Sequence, residues 1–198
     1  KYKQKPAEKV LAEIDRIREL WPRPFIELAD DNTFVNRAYW MDILPEIGKR
    51  NVRWFAQADI RMAKDEELLR LMRASGCREV LIGIESPNAK DLDGVELRNN
   101  WKSRQSITAQ QAVPIVQSHG IMVNGCFVLG LDSHGPEIFS EIYDFVCQTN
   151  LFDVQITFLT PFPGTPLYTR LLNEGRLLNP TDWDKCTLFD INFEPKGM

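Results

Sequence analysis

One pairing recurs along this sequence: a short apolar run, then a carboxylate, hydroxyl or turn residue. Asp30 and Asp31 follow Phe25-Ile26-Glu27-Leu28-Ala29. Gln57, Asp59 and Arg61 close the run that begins at Val52, and Glu85 and Ser86 end the run 79–84. Gly130 and Asp132 follow 122–129; Thr160 and Pro161 follow 154–159 and lead into Pro163-Gly164-Thr165. The set is acidic and hydroxylic, with one arginine. Carboxylates accept hydrogen bonds from both amines and hydroxyls, so the set suits a ligand carrying an amine and vicinal hydroxyls. Each residue also has a plainer use. Asp30-Asp31-Asn32-Thr33 suits a helix cap, Gly130 a tight turn, and Pro163-Gly164 a turn in any protein. Glu85 is the most telling, because it closes a dense apolar strand and a buried carboxylate without partners is costly.

Other chemistries lack their residues. No lysine stands at a strand end, which argues against a Schiff-base barrel. The two histidines, His119 at a helix end and His134 in a loop, make no metallohydrolase set, and no Ser/His/Asp nucleophile group stands out. Asp30 or Glu85 could serve a hydrolytic barrel as acid or base, a pattern common to many barrels. The four cysteines at 77, 126, 147 and 186 form no CxxC or CxxxCxxC and read as reduced, mostly buried thiols of a cytoplasmic protein.

With 198 residues, 43% apolar and 26% charged, the chain is no disordered, collagen-like or disulfide-stapled protein. A net charge of −4 gives no basic excess for wholesale nucleic-acid binding. The longest apolar stretch, 120–131, is broken by Asn124 and is far short of the roughly 20 residues that span a bilayer. No signal peptide opens the chain.

The elements that must position these residues alternate. Strand-like runs cover 24–29, 52–58, 79–84, 122–129 and 154–159, and their composition suits strands buried on both faces. Helical spacing covers 6–20, 36–49, 64–75, 107–118 (with Pro114 expected to kink it) and 136–148, and a shorter helix follows Pro166. This order predicts a parallel α/β sheet with right-handed crossovers. No GxGxxG turn follows a strand, so a partial TIM-like barrel is preferred to a dinucleotide fold. Residues 1–198 read as one barrel domain, with about 167–198 as its C-terminal extension. The leading helix lacks its strand, and the opening Lys1-Tyr2-Lys3-Gln4-Lys5 has no initiator Met. The expectation is an excised piece of a longer chain, with an exposed sheet edge that favours self-association.

Together these strings resemble the radical S-adenosylmethionine superfamily, in its cobalamin-associated, oxidative-cyclase-like branch. The resemblance rests on 25–34 (FIELADDNTF), 76–86 (GCREVLIGIES), 125–132 (GCFVLGLD) and 159–168 (LTPFPGTPLY), with Glu174-Gly175-Arg176 and Trp183 besides. It implies a (β/α)6 partial barrel truncated at its N-terminal strand. It also implies that Asp30 and Asp31 receive the methionyl amine of S-adenosylmethionine, that Glu85, with Ser86 beside it, contacts the ribose, and that Gly130 and Asp132 lie near the adenine and methionine carboxylate. Asp132 stands where the family usually has Glu. Thr160-Pro161 passes the adenine, Arg61 meets the methionyl carboxylate, and Gln57 shares that rim. The family's CxxxCxxC loop, which holds a 4Fe–4S cluster, is not in the chain and is expected upstream of Lys1, with a cobalamin domain possible before it. The implied function is the core of an enzyme that reductively cleaves S-adenosylmethionine to a 5′-deoxyadenosyl radical for methylation, cyclisation or related C–H chemistry. Its implied partners are an electron donor and a small-molecule substrate, and the fragment alone is expected to be inactive. The alternative is a non-catalytic barrel that binds or scaffolds.

Overall fold

A computed structural model describes residues 3–92 and 106–198; Lys1 and Tyr2 of the charged opening lie outside them. Helices α1 (Ala7–Leu20), α2 (Arg37–Gly48), α3 (Glu66–Ala74), α4 (Ala109–Ser118), α5 (Ile138–Thr149) and α6 (Pro166–Asn173) alternate with strands β1 (Phe25–Leu28), β2 (Arg53–Ala58), β3 (Cys77–Glu85), β4 (Met122–Leu129) and β5 (Asp153–Phe158). The strands form one parallel sheet in chain order, β1-β2-β3-β4-β5. That order is the α/β architecture expected from the alternation of apolar runs.

Local chemistry sets the boundaries. Asn36, Asp65, Thr108 and Thr165 cap α2, α3, α4 and α6 by accepting backbone N–H bonds. Thr108 and Gln111 complete a reciprocal capping box, so α4 starts at Ala109 and not at 107. Helix α4 runs on past Pro114 to Ser118.

The strands differ from the sequence expectation in one respect. They are not buried equally on both faces: β3 reads buried and half-buried in alternation, and β4 does the same throughout. Two compact units divide the chain. In the first (the residues up to Gly83 with Ser106–Gly125 and Thr149–Asp153), Trp54, Ala56, Ala58, Val80 and Ile82 share the covered face with Ile43, Leu44, Ile47, Leu69 and Met72 of the helices. The register Ala56↔Val80 and Ala58↔Ile82 keeps that face continuous, while Phe55 and Gln57 stand half-buried on the other. In the second unit (from Ile84 with Cys126–Gln148 and Val154–Met198), Phe127, Ile138, Ile142, Phe145 and Leu171 make the core. Phe127 and Phe145 meet edge to face at 5.6 Å.

Trp54 locks the first unit. It is 1% exposed, and its indole N–H donates to the Ser75 carbonyl at 3.0 Å. The next residue, Gly76, has φ +102, and a Cβ there would collide with the Val52 carbonyl. Trp54→Phe removes the donor and leaves that carbonyl unpaired beside a small void. The expected loss is about 1–3 kcal/mol in urea unfolding with native secondary structure retained; an unchanged midpoint would contradict this role.

Candidate functional site

In the first unit the sequence-flagged residues divide into two groups. Asp30 and Asp31 are exposed just past β1, and their carboxylates accept no hydrogen bond among the described residues. The chain turns there through a bond from the Asp30 N–H to the Leu28 carbonyl at 2.9 Å. Gln57 is half-buried near the end of β2. Arg61 is instead engaged locally. A 3-10 turn, Ile60–Lys64, folds it back on Asp59, to which its Nε and Nη2 donate at 2.9 and 2.6 Å. Asn32 Nδ2 donates to the same carboxylate at 2.7 Å. Burial would raise the Asp59 carboxyl, but the bonds from Arg61 and Asn32 outweigh it and hold the group below its ordinary range. Asp59, Asn32 and Arg61 line a cavity of about 320 Å³ with Arg37 and Asp65, which form an ion pair, and with Phe34 and Met62. The sequence reading missed Arg37, Asn32 and Asp65 as a group. The signal was the capping position of Asp65 ahead of α3, which also tethers Arg37.

In the second unit Glu85 ends β3 with φ +66, in the left-handed region. The Ser86 N–H closes a γ-turn around it to the Ile84 carbonyl at 2.9 Å. A non-glycine residue held there costs about 1–3 kcal/mol, which persists where surrounding contacts enforce it and is common at ligand sites. The Ser86 hydroxyl donates to Asp91 at 2.6 Å, so it has a partner within the chain. The single Thr160 O–H lies within reach of the carbonyls of Phe158 and Thr187, 3.0 and 2.8 Å from its oxygen, and Pro161 beside it is buried.

Gly130 and Asp132 are both tied to the C-terminal stretch. Gly130 has φ +94, and a Cβ there would stand 2.8 Å from the Phe193 ring. The Asp132 carboxylate accepts from Arg170 at 2.7 Å and Arg176 at 2.9 Å, with the Lys196 ammonium 3.4 Å away. Burial alone would raise its carboxyl, but the Arg176 bond and the three positive charges prevail and hold it low.

The comparisons with known proteins agree with the fold. The chain is 32% identical over 169 residues to bacteriochlorophyllide d C-12(1)-methyltransferase of Chlorobaculum tepidum, covering 85% of this chain and 36% of that protein. It is 31% identical over 181 residues to hopanoid C-2 methylase of Rhodopseudomonas palustris, covering 88% and 34%. Its fold superposes on the radical S-adenosylmethionine methyltransferase TsrM of Kitasatospora setae, solved with cobalamin and a [4Fe–4S] cluster, at TM-score 0.69 and 18% identity, over 86% of this chain and 34% of that one. The chain is related to these methyltransferases and has the fold of the radical S-adenosylmethionine enzyme it superposes on. Anaerobic cyclases are also among its relatives. No family model matches the chain. It spans about a third of the length of the curated relatives it matches.

Its five parallel strands carry the polar residues at their carboxyl ends. The thiols do not fit a cluster. Cys77 is buried in β3, where burial pushes its thiol up, while Cys147 is exposed on α5. Among the described residues no three His, Cys, Asp or Glu side chains converge as metal ligands.

Asp132→Asn should loosen the C-terminal stretch and lower stability by about 1–2 kcal/mol at neutral pH. A carboxyl held low in the folded state contributes fully above its unfolded value of 3.8 and loses that contribution as pH falls through the lower folded one. The gap between wild type and variant in urea unfolding should therefore close below about pH 4. A gap that persists undiminished at pH 2.5 would contradict the clasp.

Proposed function

We propose that the chain is the cofactor-binding core of an enzyme that reductively cleaves S-adenosylmethionine for methylation, cyclisation or related C–H chemistry. One observation carries the reading: Glu85, a carboxylate at the end of an apolar parallel strand, is held in a left-handed γ-turn. Strain of that kind collects where a side chain must be aimed. Bound S-adenosylmethionine supplies the sulfonium carbon on which such chemistry draws, and the chain's residues bind it, orient it and exclude water.

The ligand's groups are assigned to the strand-end residues by their chemistry. In the second unit Glu85 is assigned the ribose hydroxyls, Thr160-Pro161 the adenine edge, and the Gly130 turn the backbone beside it. In the first unit Asp30 and Asp31, whose carboxylates accept no hydrogen bond among the described residues, are assigned the methionyl amine. Arg61 can take the methionyl carboxylate only by loosening its fork on Asp59, which makes Asp59 and Asn32 part of the same assignment. The cluster is assigned to ligands outside residues 3–92 and 106–198, because no thiolate set converges within them. A small-molecule substrate, an electron donor and a cytoplasmic setting complete the reading. No helix of the described residues is long and apolar enough to cross a membrane. β1, at the sheet edge with Phe25 exposed, is the surface assigned to self-association.

Titration calorimetry on the full-length protein tests this reading. Glu85→Gln should weaken S-adenosylmethionine binding by about ten- to a hundredfold, the loss of one charge-assisted hydrogen bond, with iron content unchanged. A lowered melting temperature with unaltered affinity would make Glu85 a structural rim residue. A wild-type protein that binds neither iron nor S-adenosylmethionine would establish the scaffold reading.

A further inference from the structure

The left-handed turn at Glu85 needs something to hold it, and the second unit contains a small circuit, built on the buried Ser86 and His134, that reaches it. Ser86, 4% exposed, is the residue whose N–H closes the turn. Its hydroxyl donates to Asp91 Oδ2 at 2.6 Å and accepts the Asn88 N–H at 3.3 Å. Asn88 Nδ2 in turn donates to Glu141 of α5 at 2.8 Å. Asp91 lies on the 3-10 turn Ala89–Leu92. On its other side stands His134, 2% exposed, with neither ring nitrogen in a hydrogen bond. Its Nε2 is 3.7 Å from Asp91 Oδ2, the same oxygen that takes the Ser86 hydroxyl.

We infer that Asp91 is the positioning residue of the Glu85 turn, and that His134 is a proton-operated release for it. A neutral imidazole leaves Asp91 Oδ2 to Ser86. A protonated one carries a charge and an N–H donor that compete for that oxygen, and the turn at Glu85 loses its anchor. Among the described residues the charged groups that act on His134 are Asp91 from the 3-10 turn, Glu141 from α5 and Glu137 just before that helix, all acidic. Asp132, two residues away, is neutralised by Arg170, Arg176 and Lys196. Burial is the larger influence and keeps the His134 ring below its ordinary value of 6.5, against the pull of the three acids. The folded group therefore binds its proton less readily than the unfolded one. Its contribution to stability is present above pH 6.5 and is lost as pH falls through the lower folded value. The consequence for the cofactor rests on the reading of Glu85 as a ligand group; the coupling itself does not.

The test separates the two. With only two histidines in the chain, the ring nitrogens of the 15N-labelled protein can be followed individually, His119→Gln supplying the assignment. The expected result is that His134 titrates below pH 6.5 and that the Glu85 and Ser86 amide resonances move with the same midpoint. Asp91→Asn should flatten both amide curves. If that variant does not fold, Ser86→Ala decides: His134 still titrates, the Glu85 amide no longer follows it, and Ser86→Thr restores the coupling. Amides that stay flat in the wild type, or that keep following His134 in Ser86→Ala, would overturn the inference. S-adenosylmethionine affinity of the full-length protein is the second readout. Ser86→Ala should reduce it about tenfold at neutral pH and Ser86→Thr should recover it. A wild type that binds no S-adenosylmethionine refutes the ligand assignment of Glu85 and leaves the amide coupling standing on its own result.

Discussion

A parallel strand ends abruptly in hydrogen-bonding terms: beyond its last paired residue each backbone group must find a partner close by or meet water. This chain meets that requirement in the same way at three of its strand ends. A bond spanning two residues closes the turn at Asp30 onto Leu28 (2.9 Å), at Ser86 onto Ile84 (2.9 Å) and at Phe162 onto Thr160 (3.0 Å). Such a closure reverses the chain within one residue. It therefore keeps the enclosed residues Ala29, Glu85 and Pro161, with Asp30 beside the first, close to the strand end and does not let them drift into a long loop. Only at Glu85 does the turn require positive φ, and only there is the following hydroxyl held by a carboxylate. Positioning of polar groups is thus a by-product of satisfying the backbone, with extra anchoring where the by-product is strained.

Carboxylates in similar sequence settings have taken on opposite physical roles. Asp59, Asp65 and Asp132 each grip an arginine and are held below the ordinary carboxylate range. They hold the 3-10 turn after β2, the start of α3 and the C-terminal stretch. Asp30 and Asp31 grip nothing among the described residues. A carboxylate already satisfied by a guanidinium has little to offer an incoming ammonium or hydroxyl, because a new partner must displace an existing charge-assisted bond. The open pair is for that reason better suited to a ligand than the paired three.

The strands were legible because their composition is unambiguous: apolar and β-branched runs with polar ends, and β4 begins and ends at the residues the pattern gives. The helix starts were legible to within two or three residues, and the difference is capping chemistry, as Asp65 and Thr108 show. The residues Glu85 and Asp30-Asp31 were legible as strand-end groups. Their surroundings were not. Arg61 folding onto Asp59 depends on a 3-10 turn, and short turns have no hydrophobic period to read. The ties from Phe193 to Gly130 and from Arg176 to Asp132 join residues more than 40 positions apart through side chains, and periodicity carries no record of them. His134 and the cysteines show a further limit, because burial follows from packing: nothing beside His134 in sequence announces that it is buried, and of four thiols expected to be mostly buried, Cys77 is buried while Cys126 and Cys186 are half-buried and Cys147 is exposed.

Gly130 shows how a motif residue can carry two physical demands at once. Its φ of +94 calls for glycine, and the Phe193 ring standing 2.8 Å from where a Cβ would be calls for it again. Neither demand involves a ligand. The ring is in turn overlain by the Arg176 guanidinium, 6.0 Å from its centroid, and that guanidinium binds Asp132 two residues beyond the glycine. Strand end, glycine, ring, guanidinium and carboxylate therefore close a loop of contacts within the second unit. A ligand that approaches the Gly130 backbone must do so alongside the Phe193 ring, not in an empty cleft. The C-terminal stretch is then part of the wall at the end of β4, and a change at Phe193 or Arg176 acts on that strand end as directly as a change at the glycine itself.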